Sequence, residues 1–283
     1  MKKFLTLIMT GILALSVCFG LTACGGDSVT ETEDQLSALT EVKAGTSDIA
    51  VIDSVMANYY VNKDNFSDLT ILTDEEFTFA NEFYAIGARK NSNTDEFISA
   101  ALYALQQENA IQPIAQKYGL TDVLCTIPAC TADLSNIDPN SDFAKILASG
   151  KLVLGYTIFE PIAYVENNAL TGFDIELAKA VCDFYNIELE TVKINWDTKE
   201  DELNGKYIDV IWNGFTYTSE RAENIDFTCM YLSNRQAIVI RKADVNKYVD
   251  YASMKGASFC AESESAGEST IRNIILPLVD SAE

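Results

Sequence analysis

The densest run of chemically useful side chains is Ile211-Trp212-Asn213-Gly214-Phe215-Thr216-Tyr217-Thr218-Ser219-Glu220-Arg221. An apolar strand ending at Asn213 hands over to Gly214, which lets a ligand approach the backbone closely. Thr216 offers a hydroxyl, and a short helix over 219–224 returns Arg221 toward the same mouth. Arginine suits carboxylate capture because its planar fork donates two parallel hydrogen bonds and does not lose its charge. Trp212 beside this cradle is a candidate wall, with strand-end packing as the alternative. On composition alone Arg221 could instead be a surface residue paired with Glu220 or Glu223.

A second anion-binding element follows the apolar run 257–261. Ser265-Ala-Gly-Glu268 has the Ser-x-x-Glu form of a helix capping box, and free N–H groups at Ser265 and Ala266 would suit a ligand carboxylate. A cap with no further role is the alternative. Asp53 closes another apolar run and stands where a helix over 54–60 would take its N-cap.

The elements that must position these groups alternate between strand and helix. Strands are expected at 48–52, 83–88, 151–157, 189–195, 208–213, 236–241 and 257–261. Helices are expected at 54–60, 95–107, 110–118, 143–148, 173–185, 219–224 and 266–279. Asp174 falls in the first turn of one of these, where its charge favours the positive N-terminus. The order implies α/β layers with largely parallel sheets buried on both faces. The interval 125–141, rich in Cys, Pro, Asn and Ser, reads as a linker.

Composition removes several function classes. The 283 residues include no histidine, which excludes His-based catalysis and His metal sites, and no catalytic residue, metal site or cofactor is assigned. A basic cluster of the kind that nucleic acid requires is missing, and the formal charge is −22. Cys125 and Cys130 flank a turn-prone Thr-Ile-Pro-Ala and could close a small disulfide loop.

Lys2 and Lys3 precede an apolar run over 4–21 that ends in Leu21-Thr22-Ala23-Cys24, an export signal. The ending resembles a bacterial lipobox, which implies cleavage before Cys24, lipid on its thiol and attachment to the outer face of the cell membrane. An uncleaved membrane-spanning helix is the alternative. Residues 24–34 then read as a flexible tether.

Three segments carry a wider resemblance: Gly155-Tyr-Thr-Ile-Phe-Glu-Pro-Ile-Ala-Tyr164, Gly172-Phe-Asp-Ile-Glu-Leu-Ala-Lys-Ala-Val181, and 209–227. Together they resemble the opening half of the polar amino-acid-binding proteins of ABC importers, bacterial extracellular solute-binding proteins of family 3. The resemblance implies that Arg221 and Thr216 hold the ligand α-carboxylate, that Asn213 and Gly214 face its α-ammonium, and that Phe159 stacks over it, with an ordinary core aromatic as the alternative for Phe159. Family members usually carry glycine where this chain has Glu264. The segment Ala44-Gly-Thr-Ser-Asp-Ile-Ala-Val-Ile-Asp53 resembles the family's later half, which implies that Asp53 meets the α-ammonium.

The two halves therefore stand in reverse order. The implied fold is α/β, a two-lobe periplasmic-binding-protein-like fold of type II with circularly permuted chain order. One lobe comprises 142–239 and 88–124, the other 240–283 and 35–87, and 125–141 joins the old termini; the hinge falls near 238–241 and 85–89. The implied function is a non-enzymatic, lipid-anchored, extracytoplasmic binding protein that delivers an amino acid to ABC permease subunits. An amino-acid-sensing or domain-swapped module and a dehydratase-like enzyme on the same fold remain as alternatives.

Overall fold

The computed structural model describes residues 29–61 and 63–282. The expected signal peptide at 1–23 and the lipid-bearing Cys24 lie outside the described residues. In chain order the strands are β1 (Val29–Thr32), β2 (Ile49–Asp53), β3 (Leu69–Ile71), β4 (Glu82–Tyr84), β5 (Gly87–Arg89), β6 (Lys151–Tyr156), β7 (Tyr164–Glu166) and β8 (Ala169–Thr171). They continue with β9 (Glu188–Lys193), β10 (Val210–Ile211), β11 (Ile225–Phe227), β12 (Leu232–Asn234), β13 (Gln236–Arg241) and β14 (Phe259–Glu262).

Two five-stranded sheets form the lobes, in the orders β1-β14-β2-β13-β3 and β11-β5-β10-β6-β9. Each draws strands from both the earlier and the later part of the chain. Their central strands are buried on both faces. In β2, Ala50 and Ile52 face one apolar cluster while Ile49 and Val51 face another; in β13, Ala237 and Val239 oppose Ile238 and Ile240 in the same way. Each fully buried Ile or Val side chain among these contributes about 1.5–3 kcal/mol, enough to fix register because a one-residue slip would exchange the two faces.

The sheets are mixed rather than largely parallel. β13 runs antiparallel to both β2 and β3, and β5 antiparallel to both β10 and β11. Each is the strand that enters its sheet after a crossing between lobes, so its direction opposes its neighbours.

The crossings also correct the expected hinge. The lobes are joined by the antiparallel pair β4–β12, with Tyr84 opposite Leu232 and Glu82 opposite Asn234. The run Gln236–Arg241 is a sheet strand, not a crossing, because five of its six residues are buried and its ladder is paired on both edges. The lobe boundary therefore falls before β13, and residues expected at the end of one lobe sit in an interior strand of the other sheet.

The expected tether is also corrected over its last residues. β1 adds a parallel edge strand to β14, from Val29 opposite Phe259 to Thr32 opposite Glu262. The helix Gln35–Ala44 follows, capped by Asp34, whose carboxylate accepts the Ser37 N–H at 2.7 Å. A vacant strand edge is what orders Val29–Thr32, and composition does not show such an edge.

The expected 266–279 helix is interrupted. Ala266–Thr270 is α-helical, Ile271–Ile275 is a π segment, and Leu276–Ser281 resumes the α-helix. Pro277 has no N–H to offer the carbonyl four residues earlier, and the hydrogen-bond register shifts upstream of it. The 125–141 stretch packs on the hinge: Cys125 N donates to Tyr231 O at 3.0 Å, and the Gln106 side chain bonds both the N–H and the carbonyl of Ile127. Cys125 and Cys130 are both free thiols.

Candidate functional site

A cavity lies between the lobes. Asp53 at the end of β2, Glu262 at the end of β14, Gln35, Ser265 and Ala266 line it from one side; Phe159, Trp196, Asn213, Gly214, Thr216 and Arg221 line it from the other. Convergence of strand ends on one crevice follows from the α/β architecture, where loops beyond the strands carry the functional groups.

The Gly214 side is built around a buried carboxyl. Asp174 is fully buried, and its Oδ2 accepts the Gly214 N–H at 2.7 Å and the Tyr231 hydroxyl at 2.8 Å. Burial pushes the Asp174 carboxyl up to about 7, against the lowering effect of those two donors. Its charge was expected to favour a helix N-terminus; its observed contacts fasten the cradle loop. Gly214 has φ 59°, and a Cβ there would lie 2.6 Å from Phe159 Cε1, so glycine is required for the Phe159 ring to close over the loop. Phe159 is itself held by a turn in which its N–H donates to Ala163 O at 2.8 Å. The Asn213 side-chain amide and the Thr157 hydroxyl are 2.7 Å apart, which ties the end of β10 to the end of β6.

Arg221 opens the helix Arg221–Asn224 and reaches back as expected. Its Nη1 donates to Thr216 O at 2.8 Å, its guanidinium sits 4.7 Å from the centre of the Phe215 ring, and its Nη2 donates to Glu264 O of the opposite lobe at 3.1 Å. Lys199 Nζ makes the same crossing to Glu264 O at 3.3 Å and also donates to Trp196 O at 2.9 Å. Burial brings the Lys199 ammonium down to about 8.

On the facing lobe, three amides hold Asp53. Gln35 and Asn234 donate to its carboxylate, as does Gln236 Nε2 at 3.0 Å, while the Asp53 N–H donates to Gln35 Oε1 at 2.9 Å. Asp53 makes no side-chain cap bond to the helix Ser54–Tyr60, and it lines the cavity. Burial raises its pKa, opposed by the surrounding amides. Ser265 is an N-cap whose Oγ accepts the Glu268 N–H at 3.1 Å, and Glu268 Oε2 accepts the Glu264 N–H at 2.7 Å. The Ser265 half of the expected capping box is formed, while the Glu268 carboxylate reaches one residue past the N-cap, to Glu264, which adopts φ 55°, the backbone region that favours glycine.

The cavity is tight, about 10 Å³, the size of roughly one water. It shares Arg221, Ser265 and Ala266 with an outer cleft of about 590 Å³ that also contains Glu82, Lys199 and Glu264. Nothing as large as an amino acid enters the inner space unless the lobes separate.

Eight of the nine expected binding residues line this cavity: Asp53, Phe159, Asn213, Gly214, Thr216, Arg221, Ser265 and Ala266. Trp212 does not. It is fully buried in the core, and Trp196 supplies the indole wall instead. Asn213 takes the cleft side after β10, and the adjacent Trp212 projects into the apolar layer, as alternation along an extended chain requires. Trp196 lies in the 3₁₀ turn Trp196–Thr198 beyond β9 and its indole N–H has no partner. Gln35, Glu262 and Lys199 were also missed. The readable signal for Glu262 was position, since it ends the apolar strand β14 as Asp53 ends β2, whereas Trp196 follows the exposed edge strand β9 and carried no such signal.

Residues 152–268 match the family of bacterial extracellular solute-binding proteins, family 3. The chain is similar to the arginine-binding extracellular protein ArtP of Bacillus subtilis (strain 168), 28% identical over 42% of this chain and 48% of that protein. It is also similar to ABC transporter arginine-binding protein 1 of Escherichia coli (strain K12), 32% identical over 42% of this chain and 46% of that one. The chain thus spans about half the length of these curated relatives. Among solved structures, a histidine-bound ABC uptake transporter substrate-binding protein from Streptococcus pneumoniae is 35% identical over 31% of this chain and 36% of that chain, with a TM-score of 0.30.

Proposed function

We propose, from the match of residues 152–268 to the bacterial extracellular solute-binding proteins, family 3, that this chain captures a free amino acid between its two lobes and delivers it to an ABC importer. The observation that carries this reading is the meeting of Asp53 and Arg221 in one cavity, from opposite lobes. A zwitterion bound there offers its α-carboxylate to the Arg221 fork and its α-ammonium to Asp53, with Phe159 and Trp196 as apolar walls. Neither lobe alone satisfies both ends, so ligand shifts the population toward closure. The chain uses no cofactor in this reading and acts as a carrier, not an enzyme.

The chain order is best explained as a circular permutation with the 125–141 stretch joining the old ends. Two observations support it: each sheet is assembled from both parts of the chain, and the family match covers only 152–268. A gene reordered to begin at 142 and run through 283 into 29–124 should give a protein of the same ligand preference and similar Tm. The Leu21-Thr22-Ala23-Cys24 signal supports lipid anchoring on the outer face of the membrane. Among the described residues no helix is long and apolar enough to cross a membrane.

A thermal-shift screen against the common amino acids and cystine tests the function. A specific ligand raises Tm by mass action, and the rise disappears in Arg221→Ala. Absence of any stabilising amino acid would reject the proposal.

A further inference from the structure

Glu262 is a carboxyl for which the amino-acid backbone has no use. It ends β14 at 4% exposure and lines the inner cavity beside Asp53. The groups acting on it are Asp53, Asp34, the Gln35 amide and the charge of Lys199. Among the described residues it belongs to no ion pair within 4.0 Å. Lys199 does not close on it, because that ammonium is committed to the carbonyls of Trp196 and Glu264.

The cavity wall carries two acids, Asp53 and Glu262, against one arginine, Arg221. If Arg221 takes the α-carboxylate and Asp53 the α-ammonium, Glu262 is left facing the ligand side chain. A desolvated carboxylate without a cation is costly, and a cation supplied by the ligand removes that cost. An anionic side chain would meet Glu262 and Asp53 in the inner cavity. A neutral side chain would leave the carboxyl without a counter-charge.

Resting on the amino-acid reading above, we propose that the ligand is an amino acid with a cationic side chain, whose ammonium or guanidinium group pairs with Glu262. Glu262 is then the specificity-determining residue, and Asp53 and Arg221 hold what every amino acid shares. Burial, with Asp53 and Asp34 nearby, raises the Glu262 pKa well above the carboxylate range in the protein alone. Arrival of a cation reverses that balance and restores the ionised form.

Calorimetry on the purified chain near neutral pH, with L-arginine, L-lysine, L-ornithine, L-glutamine, L-leucine and L-glutamate, tests this. At least one cationic amino acid should bind about tenfold or more tighter than L-glutamine. Glu262→Gln, nearly isosteric, should remove about tenfold or more of that cation affinity and change L-glutamine binding by less than about threefold. L-Glutamine, L-leucine or L-glutamate binding as tightly as every cation, or a preference unchanged in Glu262→Gln, overturns the inference and leaves amino-acid binding intact. Failure of every amino acid to bind overturns the function and the inference together. If circular dichroism shows the variant unfolded, the wild-type ranking decides.

Discussion

Arg221 crosses the cleft to Glu264: its Nη2 donates to the Glu264 carbonyl at 3.1 Å, and Lys199 Nζ reaches the same oxygen at 3.3 Å. Two cations of one lobe thus meet on the turn that precedes the Ser265 cap of the other. In the proposed function a ligand carboxylate would share the Arg221 fork with that turn, which would couple ligand capture to the distance between lobes.

Arg221→Ala should weaken binding of the best ligand by roughly 2–5 kcal/mol, because a desolvated carboxylate loses its paired charge. Arg221→Lys should recover part of this and not all, since an ammonium cannot reproduce the two parallel bonds. Calorimetry measures both; an unchanged affinity in Arg221→Ala would remove Arg221 from the site.

Gly214→Ala should cost stability and binding together. The new Cβ would sit 2.6 Å from Phe159 Cε1 at φ 59°, so either the ring or the loop must move. A loss of about 1–3 kcal/mol is expected from the strain, read as a lower denaturation midpoint. A midpoint equal to wild type would contradict the closeness of Phe159 to this loop.

Glu264→Gly should act in the opposite direction. Glu264 is exposed at φ 55°, and glycine holds that conformation without the steric cost. Relief of strain, less the added freedom of the unfolded chain, leaves a gain of about 0.5–1 kcal/mol, which is a Tm rise of a few degrees. A fall in Tm would mean that the Glu264 side chain contributes contacts of its own.

Stability of the protein without ligand should fall as pH rises from about 4 to about 7. Asp174, ordinarily 3.8, and Glu82, ordinarily 4.5, are both pushed by burial to about 7. Between those limits the folded state keeps protons that the unfolded state has released, so raising pH favours unfolding. Asp142 and Glu176 act in the opposite sense, since Arg89 and Lys117 hold them below their ordinary values, and their contribution is lost only at lower pH. Urea unfolding at mildly acidic and mildly alkaline pH measures the slope. Asp174→Asn should flatten it, and a slope as steep as wild type in that variant would exclude Asp174 as a source.

Much of the fold was legible because buried strands need continuous apolar runs. The helices Ser54–Tyr60 and Phe173–Tyr185 and the strand Gln236–Arg241 carry their periodicity within a few residues. Most of the cavity was legible for a related reason: its residues stand where such runs end. The strand Val29–Thr32 was not legible, because its stability comes from the edge of β14, far away in sequence. The Trp196 wall was missed because only the path of the chain after β9 tells a cleft-facing indole from one in the core.

By itself, the sequence determined which side chains are available: no histidine, one Arg221 beside a glycine turn, and acids at strand ends. Those are properties of residue type and local order, so they survive any arrangement of the chain. Only the tertiary structure decided that Asp53 and Arg221 face each other, that Glu262 joins them, and that Glu82–Tyr84 and Leu232–Asn234 form the hinge. These depend on contacts between segments remote in sequence, whose energy comes from packing two lobes and is written in no single stretch of chain.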